Sequence, residues 1–143
     1  TNFIRDIRED YEMCPSRIYI PFKEQEKYNV NLELDIPRII DKTIPNEQLE
    51  NVKKLIKYQI ERCDKIYEFS EYGIDKLEYK KQINLSKVLY QSIHNKIREN
   101  DYDVFNIKCN LTFYEKIIIC YQYLSIWDLF TFIFNFIRYS YFL

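Results

Sequence analysis

The sequence predicts an α/β (α+β) domain that is mostly helical, a small sheet flanked by helices, and three patterns carry that prediction. Tyr28, Val30, Leu32 and Leu34 alternate with Asn29, Asn31 and Glu33, the period-2 pattern of a half-buried strand. Leu49, Val52, Leu55, Ile56, Ile60 and Cys63 recur at spacings of three and four, with Lys53, Lys54 and Lys57 outside, the pattern of an amphipathic helix. Leu85, Val88, Leu89, Ile93 and Ile97 repeat that helical spacing further along.

Taken in order, residues 1–10 form a polar arm carrying Arg5, Asp6, Arg8, Glu9 and Asp10, with no apolar stretch of the kind a secretory signal needs. Residues 17–22 and 28–34 read as two strands of a hairpin, and Pro21 places the first at a sheet edge or near its own end. A short extended piece at 43–49 leads into the first long helix, with Asn46 as its N-cap and Glu47 and Glu50 at the positive end of the helix dipole. The periodicity weakens over 64–82, which predicts a helix extension, a loop around Gly73 and a polar connection. Helix returns over 84–100 and breaks at Asn-Asp-Tyr-Asp (100–103), and Thr112 is the N-cap of a final block.

A length of 143 residues suits one domain, read as an arm over 1–15 and a single domain over 16–143. The chain is 47% hydrophobic and 30% charged, so it is expected to bury a core. With 21 basic and 22 acidic residues the net charge is −1, which offers no field to attract a nucleic acid. Alanine is absent and Ile, Asn, Lys, Tyr and Phe are abundant, a coding bias that lowers the information in any single charged or aromatic residue.

Cys14, Cys63, Cys109 and Cys120 form no closely spaced pair and are expected to be reduced thiols; with His94 remote from them, no metal site is predicted. One glycine excludes a glycine-rich phosphate loop, and His94, without a Ser or Cys at an interpretable spacing, reads as a surface or half-buried helical histidine. Asp101 and Asp103 read as loop and capping groups. The expectation is a non-enzymatic protein without catalytic residues or cofactors, located in the cytoplasm, the nucleus or both.

Residues 117–143 are strongly apolar, and between 117 and 137 the only charged side chain is Asp128. That length could span a bilayer, at a cost of about 2.5–3.5 kcal/mol for a mid-span aspartate. Two short helices separated near Ser125 fit equally, which leaves three readings open: core completion, a partner-facing surface, or a membrane anchor.

Residues 44–58, Ile-Pro-Asn-Glu-Gln-Leu-Glu-Asn-Val-Lys-Lys-Leu-Ile-Lys-Tyr, resemble the strand-to-helix segment of the Skp adaptors of SCF ubiquitin ligases. Tyr102-Asp-Val-Phe105 sits where that family has Trp-Asp-x-x-Phe, and the Tyr-Leu-x-Ile-x-x-Leu core at 123–129 is similar to its following helix. The resemblance, shared with elongin C, implies a BTB/POZ-like fold and a hetero-oligomeric adaptor joining a cullin-like scaffold to an F-box-like or SOCS-box-like receptor. It implies scaffold binding at Gln122 and Tyr123, and receptor binding at Trp127, Phe130, Phe134 and Ile137. Departures from that pattern are the charged stretch 23–27 in place of a tight turn, a reduced segment at 35–42, an additional helix at 84–100 and an end near Leu143. The alternative function is a small membrane-anchored or structural subunit that uses the apolar C-terminal run.

Overall fold

The computed structural model describes residues 1–124, and among them there is no strand. Seven helices follow in order: α1 (Asn2–Arg5), α2 (Ile7–Glu12), α3 (Phe22–Glu26), α4 (Leu32–Ile40), α5 (Asn46–Ile74), α6 (Lys80–Glu99) and α7 (Phe113–Tyr123). The expected small sheet is therefore corrected to an all-helical arrangement.

The segment read as a second strand shows why. Leu32, Asp35, Ile36 and Ile39 are the buried residues of α4, a spacing of three and four, whereas Leu34, which completed the apparent alternation, is 63% exposed. Asn31 caps the helix by accepting from the Leu34 N–H at 3.3 Å, and Asp35 Oδ2 accepts from the Asn31 N–H at 2.9 Å. Two reciprocal caps satisfy donors that a strand would have offered to a neighbour. Pro37 lies within α4 and cannot donate to the Glu33 carbonyl, which accepts instead from the Tyr11 hydroxyl of α2 at 3.5 Å.

The other expected strand, 17–22, is irregular chain that ends at Pro21, the N-cap position of α3. Pro21 marks a helix start rather than a sheet edge. Likewise Pro45 occupies the N-cap position of α5, so Asn46 is its first helical residue.

Helix α5 extends across 64–74 and ends at Ile74, one residue past Gly73, with Asp75 as its C-cap and turns over 75–79, so the expected helix extension and the break around Gly73 are both found. Its inner face buries Val52, Leu55, Ile56 and Ile60 completely. Helix α6 adds Ile93 and Ile97, α1 and α2 add Ile4 and Ile7, and the 100–111 connection adds Val104, Phe105, Cys109 and Leu111. The stretch expected as a polar arm thus contributes two isoleucines to the core. Helix α6 packs between α5 and α7, α1 packs on α5, and α2 packs on α4. Asp35, itself buried, accepts from Gln48 Nε2 at 2.8 Å and so joins α4 to α5.

Thr112 does cap α7: its hydroxyl accepts from the Glu115 N–H, and the Glu115 carboxylate returns to the Thr112 N–H. No described helix is long and apolar enough to cross a membrane. The expected span over 117–137 lies mostly outside the described residues.

Candidate active site

Ile4 and Ile7 point into the core; by helical spacing Glu9 falls on the opposite side, Asp10 flanks the buried stripe one turn after Ile7, and Asp6, Glu9 and Asp10 are all half-buried. Asp6 stands at the joint between the two helices, and the Asp10 N–H donates to its carbonyl at 2.8 Å, which sets the two aspartates one turn apart. The acids of this face differ in what holds them. Arg5 grips both Asp6 oxygens at 2.6 Å, and this hydrogen bonding raises the Arg5 pKa above its ordinary value. Glu9 pairs with Lys108 at 2.9 Å, raising that lysine's pKa, and Glu12 pairs with Arg8 at 2.8 Å. Among the described residues the Asp10 carboxylate has no ion pair, while its carbonyl accepts from the Arg17 N–H at 2.9 Å.

The acidic face is fastened from the far end of the chain as well. Arg8 donates to the Phe105 carbonyl at 2.9 Å, and with Lys108–Glu9 this ties the 100–111 connection to α2. In that connection Tyr102, Asp103 and Phe105 line a cavity of about 370 Å³ together with Ile39, Ile44 and Lys53. Val104 and Phe105 are buried.

A second cluster lies where α1 meets α5 and α6. His94 is wholly buried, its Nδ1 is 2.7 Å from Asp64 Oδ1, and its Nε2 is 2.8 Å from the Thr1 hydroxyl. Arg98 donates to the other Asp64 oxygen, and the Tyr67 hydroxyl is 2.9 Å from that of Thr1. Burial pushes the His94 pKa down, against the opposing pull of Asp64. The histidine expected at the surface or half-buried is instead wholly buried, at the centre of a polar network. The signal in the sequence was its place beside Ile93 and three residues before Ile97 on the inner face of a helix.

Gln122 is exposed and Tyr123 is 42% exposed at the end of α7; Trp127, Phe130, Phe134 and Ile137 lie outside the described residues. Asp101 pairs with Lys53, and Asp103 accepts from the Phe105 and Asn106 N–H groups, as loop-capping carboxylates do. All four cysteines are free thiols, Cys109 being buried. Among the described residues no three His, Cys, Asp or Glu side chains are grouped to hold a metal ion.

An all-helical body with an acidic face fixed to its core fits a helical enzyme domain better than a sheet-based adaptor. The chain matches the model of the squalene/phytoene synthase family over residues 1–115, and it belongs to that family. It is 29% identical over 120 residues to the phytoene synthase of Arthrospira platensis, covering 82% of this chain and 36% of that protein. It is 31% identical over 108 residues to the 15-cis-phytoene synthase of Synechocystis sp., covering 74% of this chain and 29% of that protein. A third relative, the 15-cis-phytoene synthase of Synechococcus elongatus, is 27% identical over 119 residues, covering 82% and 35%. The chain thus spans about a third of the length of these curated relatives. No solved structure matches it.

This membership overturns the resemblance to the Skp adaptors and elongin C, and with it the ubiquitin-ligase function, the cullin-like scaffold and the F-box-like or SOCS-box-like receptor. The non-enzymatic reading falls too, since the relatives are named as synthases. The alternative of a membrane-anchored subunit has no support in the family match or in the described helices. The roles of Gln122, Tyr123, Trp127, Phe130, Phe134 and Ile137 rested on the resemblance and lose that basis. What misled was generic: residues 46–58 and 117–123 lie on helices, whose apolar spacing is shared by unrelated helices that pack on one side.

Proposed function

We propose that this chain forms part of an isoprenoid synthase of the phytoene synthase type, and that Asp6 and Asp10 are the residues through which its acidic face engages the reacting substrate. The observation that carries this reading is the Asp10 carboxylate, which has no ion pair among the described residues and stands one helical turn from Asp6, inside the stretch matched by the family model. Fixed negative charge costs no rearrangement at the moment of reaction, so it stabilises positive charge on or beside a substrate most effectively when a rigid element holds it. The α1–α2 pair supplies that rigidity: Ile4 and Ile7 anchor it from below, and Arg8 and Lys108 from the side. Arg5 partly offsets the Asp6 charge, which leaves Asp10 the stronger attractor of the two.

The test replaces the matching region of the Arthrospira platensis synthase with this chain and follows phytoene by chromatography. The folded chimera is expected to make phytoene, and Asp10→Asn within it is expected to lower turnover by about 10²-fold or more with an unchanged melting temperature. A folded chimera that makes none would remove the synthase reading, and full activity of the Asp10→Asn form would remove Asp10 from the site.

A further inference from the structure

The buried network around His94 joins three parts of the chain: Thr1 leads into α1, Asp64 and Tyr67 belong to α5, and His94 and Arg98 belong to α6. Its hydrogen-bond directions follow from donor and acceptor capacity. An ionised carboxylate only accepts, so the imidazole proton resides on Nδ1 and is donated to Asp64. Nε2 then carries a lone pair and accepts from the Thr1 hydroxyl, whose oxygen accepts from Tyr67. In this arrangement both ring nitrogens are satisfied, and the link between α1 and the α5–α6 pair runs through neutral imidazole.

We propose that His94 is a positioning residue: as neutral imidazole it latches α1, and so the Asp6 turn, onto α5 and α6, and on protonation it releases α1. The charges around the ring give the direction. Among the described residues Asp64 of α5 is the carboxylate that faces it, and Arg98 of α6 already occupies the other oxygen of that carboxylate. Tyr67 of α5 contributes a hydroxyl, which brings no negative charge to the ring. A second proton on the ring would place a new cation at a site with no exposure, beside a carboxylate whose charge Arg98 has already balanced. The Thr1 and Tyr67 hydroxyls can reverse their hydrogen bonds, but they cannot supply negative charge. The least costly response is for Thr1 and α1 to move away and let water reach Nε2, since α5 and α6 are held to each other by the main core and α1 contributes Ile4 alone.

The sign agrees with burial. A histidine whose folded pKa lies below the ordinary 6.5 stabilises the folded arrangement fully above 6.5 and loses that contribution as pH falls from 6.5 through its folded value. The consequence for the carboxylates rests on the synthase reading above. The latch itself does not, and it is measured without an activity assay.

Hydrogen exchange, corrected for the intrinsic pH dependence of amide exchange, is followed over residues 1–12 and over the α5 core at pH 7.5 and 5. In the unaltered protein the α1 amides are expected to lose protection at pH 5, by up to about tenfold in the opening equilibrium per pH unit below 6.5, while the α5 core holds. His94→Gln, which can bond to both neighbours and cannot titrate in this range, is expected to keep α1 protected at both pH values. Thr1→Val, which leaves the α5–α6 pair untouched, is expected to loosen α1 at both. The same acid loss in His94→Gln would overturn the proposal, as would equal loosening of the α5 core in the unaltered protein or unchanged protection of α1 in Thr1→Val.

Discussion

Gln25 is buried to 5% exposure and spends both ends of its amide on backbone: Nε2 donates to the Ile20 carbonyl and Oε1 accepts from the Leu32 N–H, each at 2.8 Å. It thereby closes the irregular chain before α3 onto the first residue of α4. Gln25→Leu keeps the bulk and removes both partners, leaving a buried donor and a buried acceptor unsatisfied at about 1–3 kcal/mol each. The expected outcome is a loss of about 2–6 kcal/mol in urea unfolding, and a loss below about 0.5 kcal/mol would mean that water replaces the amide. Nothing in the local sequence announces this role, because a glutamine in Lys-Glu-Gln-Glu-Lys reads as one more solvated polar residue. His94 and Asp10 were hidden in the same way. Their chemistry depends on a partner 30 residues away for His94, at Asp64, and on the lack of an ion pair among the described residues for the Asp10 carboxylate, and neither is a local property.

Between elements, the joint of α6 and α7 depends on one carboxylate. Glu115 accepts from Lys96 of α6 and closes the capping box with Thr112, and these bonds, Lys96 first, lower its pKa from 4.5 to about 2. A carboxylate whose pKa is depressed by folding contributes stability that is full above 4.5 and is lost as pH falls through about 2. Exchange of the amides of α7 is therefore expected to accelerate between pH 4.5 and 2, once intrinsic rates are removed, and Glu115→Gln is expected to abolish that dependence. Retention of the same acid profile in Glu115→Gln would show that the joint is held by apolar contact alone.

Helices of this kind were legible where the repeat was long. The spacing of Leu49 to Ile60 gave α5, and that of Leu85 to Ile97 gave α6, because a dozen residues are enough to separate a period of 3.6 from a period of 2. Over the seven residues of 28–34 the two periods cannot be separated. There Asn31 and Asp35, in cap spacing, decided for helix against an alternation that ended on an exposed leucine. The short α1 and α2 had no repeat to read at all, so the acidic face they carry was visible as composition but not as a surface.

At the scale of the molecule, one apolar cluster receives side chains from α1, α2, α4, α5, α6 and the 100–111 connection, and Ile56 is wholly buried within it. Because the acidic face sits on helices anchored by Ile4 and Ile7, its geometry and the stability of the core are not separable. Ile56→Ala is the direct probe. Deleting three carbons from a fully buried side chain costs about 2–5 kcal/mol, depending on how far the cavity collapses, out of a total that for domains is about 5–15 kcal/mol. Since the cluster is continuous, the loss is expected to be felt everywhere at once. Helix content in the far ultraviolet and tyrosine environment in the near ultraviolet should shift to the same lower denaturant midpoint, with the slope of each transition unchanged. If the far-ultraviolet signal keeps its original midpoint while the tyrosine signal moves, α5 and α6 stand without the rest. The α1–α2 face would then be a separately folding appendage rather than part of the core that holds Asp6 and Asp10 in place.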